Sequence, residues 1–318
     1  MRTSVWSNPW TGYAERMTDT RPLHVYVVLG MGLLAISVSA ILIRYGSEAP
    51  GEVLAVWRTV SASIMLGIPA LFGPRSRNEM ASFSPREWFL VATSGVFLGL
   101  HFVLWISSLY YTSIASASVL VSLSPIFMGI IGYVVLRERL RRIEVFGIFI
   151  AIAGTVLLQV VDSGHGSDVA TNPVLGNLLA LSAAFMVSIY LLIGRVVRQN
   201  RSWLAYVAPV YGFTALTTLV VALLRGVPLL GWPLYIYALC VAMAVVPQLM
   251  GHGALNYAIR WFPAATLGVA SLLEPIGAST LGWLFFSEIP ALAAVGIMLV
   301  ILGAVVLVLW PRRRPAGT

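Results

Sequence analysis

Residues 271–288 read SLLEPIGASTLGWLFFSE. Residues 121–138, which lie 150 positions earlier, read VSLSPIFMGIIGYVVLRE. The identical positions are Leu123 and Leu273, Pro125 and Pro275, Ile126 and Ile276, Gly132 and Gly282, and Glu138 and Glu288. Each stretch predicts an apolar helix with a proline near its middle and a glutamate where the hydrocarbon would end. The chain therefore contains a duplication.

The duplication continues past each glutamate and is broken at one residue. A second apolar helix follows in each copy, with glycines seven residues apart, at Gly147 to Gly154 and at Gly296 to Gly303. Immediately before the proline, the first copy has Ser124 where the second copy has Glu274. We therefore expect two similar halves, of which only the second carries a carboxylate at this position.

The composition indicates a polytopic membrane protein. Hydrophobic residues make up 59% of the 318 residues and charged residues 10%, with a mean hydropathy of +0.89. Soluble domains have about 45–50% hydrophobic and about 25% charged residues. The net charge of +8 comes with 20 arginines that cluster between apolar segments, so no nucleic-acid partner is expected. The single cysteine, Cys240, excludes a disulfide framework and a cysteine-based metal site. We expect no cofactor and no bound metal.

Ten segments are long enough to cross the bilayer, because about 20 apolar residues span about 30 Å of hydrocarbon. They lie near residues 24–43, 52–72, 88–110, 113–135, 143–161, 173–194, 203–224, 233–258, 263–286 and 290–310. The prediction is an all-α membrane protein with ten transmembrane helices, five in each half. Because five is odd, the second half must enter the membrane in the opposite orientation, which gives two inverted five-helix repeats.

The arginines predict the orientation through the positive-inside rule. With a cytoplasmic N-terminus, 17 of the 20 arginines fall in cytoplasmic segments, and the exceptions are Arg44, Arg58 and Arg225. The expected location is the inner cell membrane, with both termini in the cytoplasm. The expected parts of the chain are a cytoplasmic tail over residues 1–23, a first repeat over 24–161, a second repeat over 173–310 and a basic cytoplasmic tail over 311–318.

This arrangement resembles the drug/metabolite transporter superfamily, and specifically its EamA-type ten-helix transporters. The motifs that carry the resemblance are LLEPIG followed by SE within residues 272–288, LSPIF followed by RE within 123–138, and Trp57-Arg58 in the second helix. The chain departs from the family pattern at Arg137 and Ser287, where the family usually has glycine, and at Ile36, where a tryptophan is frequent. The resemblance implies export of small metabolites, often amino acids, without defining the substrate.

Two helices carry polar stripes that predict the walls of a central cavity. The third helix has polar residues at intervals of seven, four, three and four: Ser94, His101, Trp105, Ser108 and Thr112. The eighth has them at intervals of four: Gln248, His252, Asn256 and Arg260. At about 3.6 residues per turn each set shares one face. The predicted cavity residues are His101, Trp105, Gln248, His252, Asn256 and Glu274. The alternative is that each histidine bonds a backbone carbonyl and only packs helices.

Glu274 and Arg58 are the candidates for coupling or gating. An ionised carboxylate near mid-membrane costs about 2.5–3.5 kcal/mol, so Glu274 is expected to be paired or protonated, or else to bond a carbonyl freed by a proline. Arg58 is expected to pair with Glu274 or with a substrate carboxylate, or alternatively to reach the lipid headgroups. Pro125, Pro247 and Pro275 are the expected helix-break hinges, because proline frees the carbonyl four residues earlier.

The sequence therefore predicts a secondary transporter of a small polar or aromatic metabolite, with alternating access around a cavity lined by helices one, three, four, six, eight and nine. The chain has no lysine and hence no Walker A motif, so gradients are expected to drive transport. The expected partners are a small-molecule substrate and the lipid bilayer, with a proton as the candidate coupling ion and the oligomeric state left open. A membrane-embedded enzyme is one alternative, although HExxH is absent. A non-transporting sensor or assembly protein is another.

Overall fold

The structure is a computed structural model. It describes residues 22–112, 117, 120–121, 123–136, 142–162, 172–274, 276–277, 280–281, 284 and 292–309. Every secondary-structure element in these ranges is a helix, which confirms the predicted all-α class. Pro275, Glu138, Glu288 and nearly all of the two predicted tails lie outside the described residues.

Helices occupy most of the described part of each half. In the first half they are α1 (Leu23–Ser37), α2 (Ser39–Tyr45), α3 (Gly51–Phe72), α4 (Pro74–Ala81), α5 (Pro85–Ser108), α6 (Ser124–Ile131), a π-helical segment (Gly132–Leu136) and α7 (Arg142–Asp162). In the second half they are α8 (Pro173–Val197), α9 (Trp203–Leu224), α10 (Leu234–Met243), a second π-helical segment (Ala244–His252), α11 (Gly253–Ala258), α12 (Ala264–Ser271) and α13 (Leu292–Leu309).

Six helices of the described chain are long and apolar enough to cross a membrane. They are Leu23–Tyr45, Gly51–Phe72, Pro85–Ser108, Pro173–Val197, Trp203–Leu224 and Leu234–Ala258. Shorter apolar helices are Ser124–Leu136, Val145–Gly154 and Val295–Val308, which lie within three of the other predicted spans. The structure thus supports a multi-pass membrane protein, while the number ten stays a prediction.

The fourth and ninth spans, in which Pro125 and Pro275 were the expected helix breaks, are interrupted two residues before each proline, at Leu123 and at Leu273. Helix α6 begins at Ser124 after a turn at Leu123 and carries Pro125 in its first turn, where the missing N–H of proline leaves no hydrogen bond unmade. In the second half, α12 ends at Ser271, and a turn over Leu272 and Leu273 follows. The turns at Leu123 and Leu273 are 150 residues apart, so both copies of the duplicated stretch break at the same place.

The start of α5 is fixed by a capping box. The Ser84 hydroxyl accepts the Glu87 backbone N–H at 3.2 Å, and the Glu87 carboxylate accepts the Ser84 backbone N–H at 2.8 Å. Pro85 occupies the first helical position, where its fixed φ suits a helix. These contacts satisfy N–H groups that a helix N-terminus leaves unpaired. They fix the residue at which α5 begins, and so the helix on which the polar stripe lies.

The helices of the two halves pack in matched pairs. Helix α5 packs against α8, and α1 packs in the equivalent way against the second π-helical segment and α11. Helix α3 packs against α9, and α7 packs against α13. In each of these last two pairs the helices are related by the 150-residue shift. Each of these contacts between a helix of one half and a helix of the other therefore has an equivalent contact after the 150-residue shift, as two equivalent halves require.

Glycines allow the closest of these contacts. A Cβ atom on Gly95 would lie 2.4 Å from Phe213 Cβ, and one on Gly99 would lie 2.7 Å from Thr217 Cβ. In the α7–α13 pair, a Cβ on Gly147 would lie 2.3 Å from Val308 Cγ2. Small residues are common where membrane helices approach closely. Gly95, Gly99 and Gly147 therefore serve helix packing.

Two ion pairs join the halves at opposite ends of α9. Arg201, just before α9, contacts Glu87 of α5 at 2.6 Å, and Arg225, just after α9, contacts Glu52 of α3 at 2.5 Å. The hydrogen bond to Glu87 raises the pKa of Arg201. At the first of these ends, Glu79 also accepts the backbone N–H of Ser202 at 2.6 Å. Polar contacts therefore close the loops that connect the helices.

Arginines that the sequence analysis used only as topology signals also bind backbone carbonyls. Arg195 donates to the carbonyls of Ile259 and Arg260, both at 2.9 Å, and Arg198 donates to the carbonyl of Asn256 at 3.1 Å. Burial and the nearby charge of Arg260 lower the pKa of Arg198 to about 10. These bonds satisfy carbonyls at the end of α11, which has no following helical turn to do so.

We expect Gly95→Ala to destabilise the protein and Gly67→Ala to leave it unchanged or slightly more stable. Overpacking at Gly95 should lower the free energy of unfolding by about 1–3 kcal/mol. Gly67 lies in α3 with nothing within 4 Å of an added Cβ, so alanine there should gain up to about 1 kcal/mol of helix propensity. Melting temperatures in detergent micelles provide the measurement. Equal melting temperatures for the two variants would contradict the packing at Gly95.

We expect α3 and α9 to cross the membrane in opposite directions. Single cysteines at Ser47 and Asn78 flank α3, and single cysteines at Asn200 and Leu230 flank α9; all four positions are exposed. With Cys240 replaced by alanine, a membrane-impermeant thiol reagent should label Ser47→Cys and Leu230→Cys in intact cells. Asn78→Cys and Asn200→Cys should react only after permeabilisation. Labelling of Ser47→Cys and Asn200→Cys from the same side would rule out inverted repeats.

Candidate functional site: a central polar cavity

A polar cavity of about 60 Å³ lies between the two halves of the chain. The polar side chains in its wall are Ser39, Arg58, His101, Trp105, Ser124, His252, Ser271 and Glu274. Each helix that was predicted to line the cavity contributes, through Ile36, His101, Ser124, Val187, His252 and Glu274. The second helix contributes as well, through Arg58.

Four of the six predicted cavity residues line the wall, and two do not. His101, Trp105, His252 and Glu274 line it, and the wall also includes the gating candidate Arg58. Gln248 and Asn256 are fully buried behind the wall. They are not among the residues that line the cavity in this conformation, and a role for them in substrate binding stays a prediction.

Arg58 is held on three sides. Its Nε donates to Gln248 Oε1 at 3.0 Å, its Nη1 lies 3.5 Å from Ser39 Oγ, and its Cζ lies 4.0 Å above the centre of the Phe102 ring. The side chain is only 1% exposed. Arg58 therefore does not reach the headgroups, and that alternative is wrong. Glu274 is close enough to interact with it electrostatically, but no ion pair within 4.0 Å joins these two described residues.

The two histidines of the matched stripes meet in the cavity. The ring centres of His101 and His252 are 5.9 Å apart, and the Phe102 ring packs edge-on against His252 at 5.0 Å. His101 Nδ1 donates to the Ala183 carbonyl at 2.9 Å, as the packing alternative expected. His252 Nδ1 is buried without a hydrogen-bond partner among the described residues. The two rings therefore differ in their freedom to bind a ligand.

Asn256 connects the cavity wall to α8. Its Nδ2 donates to the Tyr190 hydroxyl and to the His252 carbonyl, the latter at 2.8 Å. Asn256 Oδ1 has no partner within the described part of the chain. Tyr190 in turn packs against the His252 ring, with ring centres 6.2 Å apart. Asn256 thus positions His252 and Tyr190 and does not itself face the cavity.

Ser124 and Glu274 occupy equivalent places in the cavity wall. Both follow the helix breaks described above, and both line the cavity. The Ser124 carbonyl accepts the hydroxyl of Ser188 at 3.2 Å, so its break is tied to α8. The carboxylate that interrupts the duplication and its serine counterpart therefore line the same cavity.

The prolines mark the irregular parts of these helices. Pro247 lies within the π-helical segment Ala244–His252 and lines the cavity, and π-helical turns frequently occur at functional sites. Pro125 lies in the first turn of α6 and packs closely against Gly268 in α12, where an added Cβ would lie 3.2 Å from Pro125 Cγ. A hinge at either proline stays a prediction, as does one at Pro275 outside the described range.

Sequence reasoning missed Ser39, Phe102 and Tyr190. Ser39 lies just past the turn that separates α1 from α2, and a serine pair in an apolar span was the available signal. Phe102 and Tyr190 gave no polar periodicity, because aromatic residues in a membrane helix most often face lipid or the protein core.

Within the described residues no group of three or more His, Cys, Asp or Glu side chains is placed to hold a metal ion.

Known proteins similar to this chain are transporters. The profile of the EamA-like transporter family matches twice, over residues 24–160 and 174–310. An uncharacterized inner membrane transporter of Escherichia coli K12, YhbE, is 27% identical over 74% of this chain and 71% of its own. The pseudopaline exporter CntI of Pseudomonas aeruginosa is 25% identical over 69% of this chain and 74% of its own. A crystal structure that is 21% identical has a TM-score of 0.71, over 93% of this chain and 100% of its own.

We expect His101→Phe and His252→Phe to differ in their effect on stability. Replacing His101 removes its hydrogen bond to the Ala183 carbonyl, which should cost about 0.5–1.5 kcal/mol. Replacing His252 removes no hydrogen bond of its ring, so the melting temperature should stay near that of the wild type. If His252 contacts substrate, transport per folded molecule should nevertheless fall. Unchanged transport with a large loss of stability at His252 would assign it to packing.

Proposed function

The chain belongs to the EamA-like transporter family, and we propose that it is a secondary transporter that exports a small metabolite by alternating access around the central cavity. In this proposal ten transmembrane helices form two inverted five-helix repeats over residues 24–161 and 173–310. Both termini lie in the cytoplasm, and the protein resides in the inner membrane. The names of the two relatives, one an inner membrane transporter and one an exporter, favour that location and direction.

The observation that carries the proposal is the cavity between the halves. Alternating access requires a site that both halves share and that each half can close in turn. The cavity wall takes residues from both halves, including the equivalent pair Ser124 and Glu274. Its volume of about 60 Å³ is small beside the roughly 300–1,000 Å³ of sites that hold small molecules. A substrate must therefore separate the helices, and this conformation corresponds to a contracted state.

The helix breaks supply the places where that separation occurs. Broken helices expose backbone groups to a cavity and bend between states. The breaks before Ser124 and Glu274 lie at the cavity wall, and the π-helical segment with Pro247 lies across it. The long continuous helices α3 and α9, which pack on each other, form the frame against which these segments move.

Glu274 is the proposed coupling group. A carboxylate at this depth alternates between a protonated form and a form stabilised by a nearby cation. Arg58 lies close enough to interact with it, while the two histidines share the same cavity. Proton binding at Glu274 from one side and release to the other would link transport to the proton gradient.

We expect Glu274→Gln to fold normally and to lose concentrative, pH-dependent transport while retaining exchange. Glutamine keeps the shape and the hydrogen bonding of the side chain but cannot ionise. The measurement is uptake of a metabolite mixture into proteoliposomes, with and without a pH gradient. Glu48→Gln, at an exposed position in the loop before α3, is the matched control and should behave as wild type. Transport by Glu274→Gln with wild-type pH dependence would refute the coupling role, and absence of transport by the wild type would favour a sensor or an enzyme.

A further inference from the structure

We propose that Arg58, positioned by Gln248, forms a subsite in the cavity for the carboxylate of a small organic acid or zwitterion. The inference rests on the proposed transport function and adds the chemical class that the site recognises. It concerns the binding of an anion, whereas the coupling role of Glu274 concerns a proton.

The first observation is the lack of a close counter-charge. Arg58 is 1% exposed within a membrane-spanning helix, where an uncompensated charge costs several kcal/mol. Among the described residues Glu274 is the acidic group that interacts with it, and the two are not within the 4.0 Å of an ion pair. An anionic ligand that contacts the guanidinium would therefore recover much of this cost.

The second observation is the fixed position of the guanidinium. Bonds to Gln248 and Ser39 use two of its donors, and the Phe102 ring covers one face. A guanidinium has five N–H donors, so three remain for a ligand in the cavity that Arg58 lines. The planar arrangement of these donors matches the two oxygens of a carboxylate. Because the side chain is already held in place, binding costs little conformational entropy.

The third observation is the type of polar atom near the guanidinium. Gln248 Oε1 accepts from Arg58, which leaves the Gln248 amide nitrogen beside it as a buried donor without a partner in the described chain. Ser39 places a hydroxyl, which also donates, on the other side of the guanidinium. His252, in the same wall, has an unpartnered ring nitrogen. The Gln248 amide and the Ser39 hydroxyl therefore add donors beside the guanidinium, which favours a group that only accepts.

The size and the apolar wall of the cavity define the rest of the ligand. A volume of about 60 Å³ is far below the roughly 300–1,000 Å³ of sites that hold small molecules, so it suits a carboxylate but not a whole metabolite. Phe102, Trp105 and Met128 line the same cavity. The expected ligand therefore has a carboxylate next to an apolar or aromatic portion, and it enters as the helices separate. Compact cations without a carboxylate should be excluded by Arg58.

The test compares three probes with related skeletons on the purified full-length protein in lipid nanodiscs. 3-Phenylpropionate carries the carboxylate, 3-phenylpropanamide replaces it by a neutral amide, and L-phenylalanine adds an ammonium group. Affinities come from the rise in melting temperature with probe concentration. The wild type should bind at least one of the two carboxylates about 10-fold or more tightly than the amide, equivalent to about 1.4 kcal/mol. Tighter binding of 3-phenylpropionate alone would identify the ligand as an organic acid, and tighter binding of L-phenylalanine alone would identify it as a zwitterion.

Variants decide whether Arg58 causes the preference. Arg58→Gln should bind carboxylate and amide probes equally, and Arg44→Gln, which removes an exposed arginine elsewhere, should keep the preference. Glu274→Gln should bind 3-phenylpropionate more tightly, because it removes a competing negative charge. If Arg58→Gln does not fold, Arg58→Lys replaces it and should retain only part of the preference, because lysine lacks the planar pair of donors.

Three results would overturn the subsite: no preference for either carboxylate in the wild type, an unchanged preference in Arg58→Gln, or an unchanged preference in Arg58→Lys where that variant is needed. Proteoliposome transport separates this inference from the proposed function. Transport of a solute mixture without any carboxylate preference would leave the transporter standing and remove the subsite. Carboxylate binding that depends on Arg58, without movement of any solute, would support the subsite and remove the transporter.

Discussion

Hydrocarbon offers no hydrogen-bond partners, so every polar group on a membrane-spanning helix must find its partner inside the protein. In this chain many of those partners lie in the other half. Thr59 bonds Thr218 at 2.8 Å, Ser94 bonds the hydroxyl of Tyr206 at 2.7 Å, and Arg58 bonds Gln248 at 3.0 Å. The polar bonds of the interior therefore connect the two halves, while apolar contacts fill the space between them. The cavity lies where this network leaves atoms unpaired.

Much of the fold and part of the site follow from simple regularities of the sequence. Hydropathy predicted the six long apolar helices that the structure describes, and the helical period placed His101 and His252 on faces that do meet. The unequal pair Ser124 and Glu274 marked where the duplicated stretches differ, and both residues line the cavity. These successes share one cause: each depends on spacing along a single regular helix or on comparison of one half with the other.

The features that the sequence did not predict arise where that regularity fails. The π-helical segment Ala244–His252 was not predicted, and Gln248 and Asn256 are fully buried and are not among the residues that line the cavity. The sequence left open whether Arg58 reaches the headgroups or a partner inside the protein, and contacts with the Phe102 ring and Gln248 hold it inside. Contacts between residues so distant in sequence leave no periodic trace, because their partners are set by tertiary structure.

The charges that join the ends of α9 to the first half have one further consequence. Both acids, Glu52 and Glu87, belong to the first half, and both bases, Arg201 and Arg225, belong to the second. The position equivalent to Arg201 is Gly51, so two copies of the first half could not form the contact with Glu87. The two halves have thus diverged at this contact, and the ion pair with Glu87 requires one copy of each half.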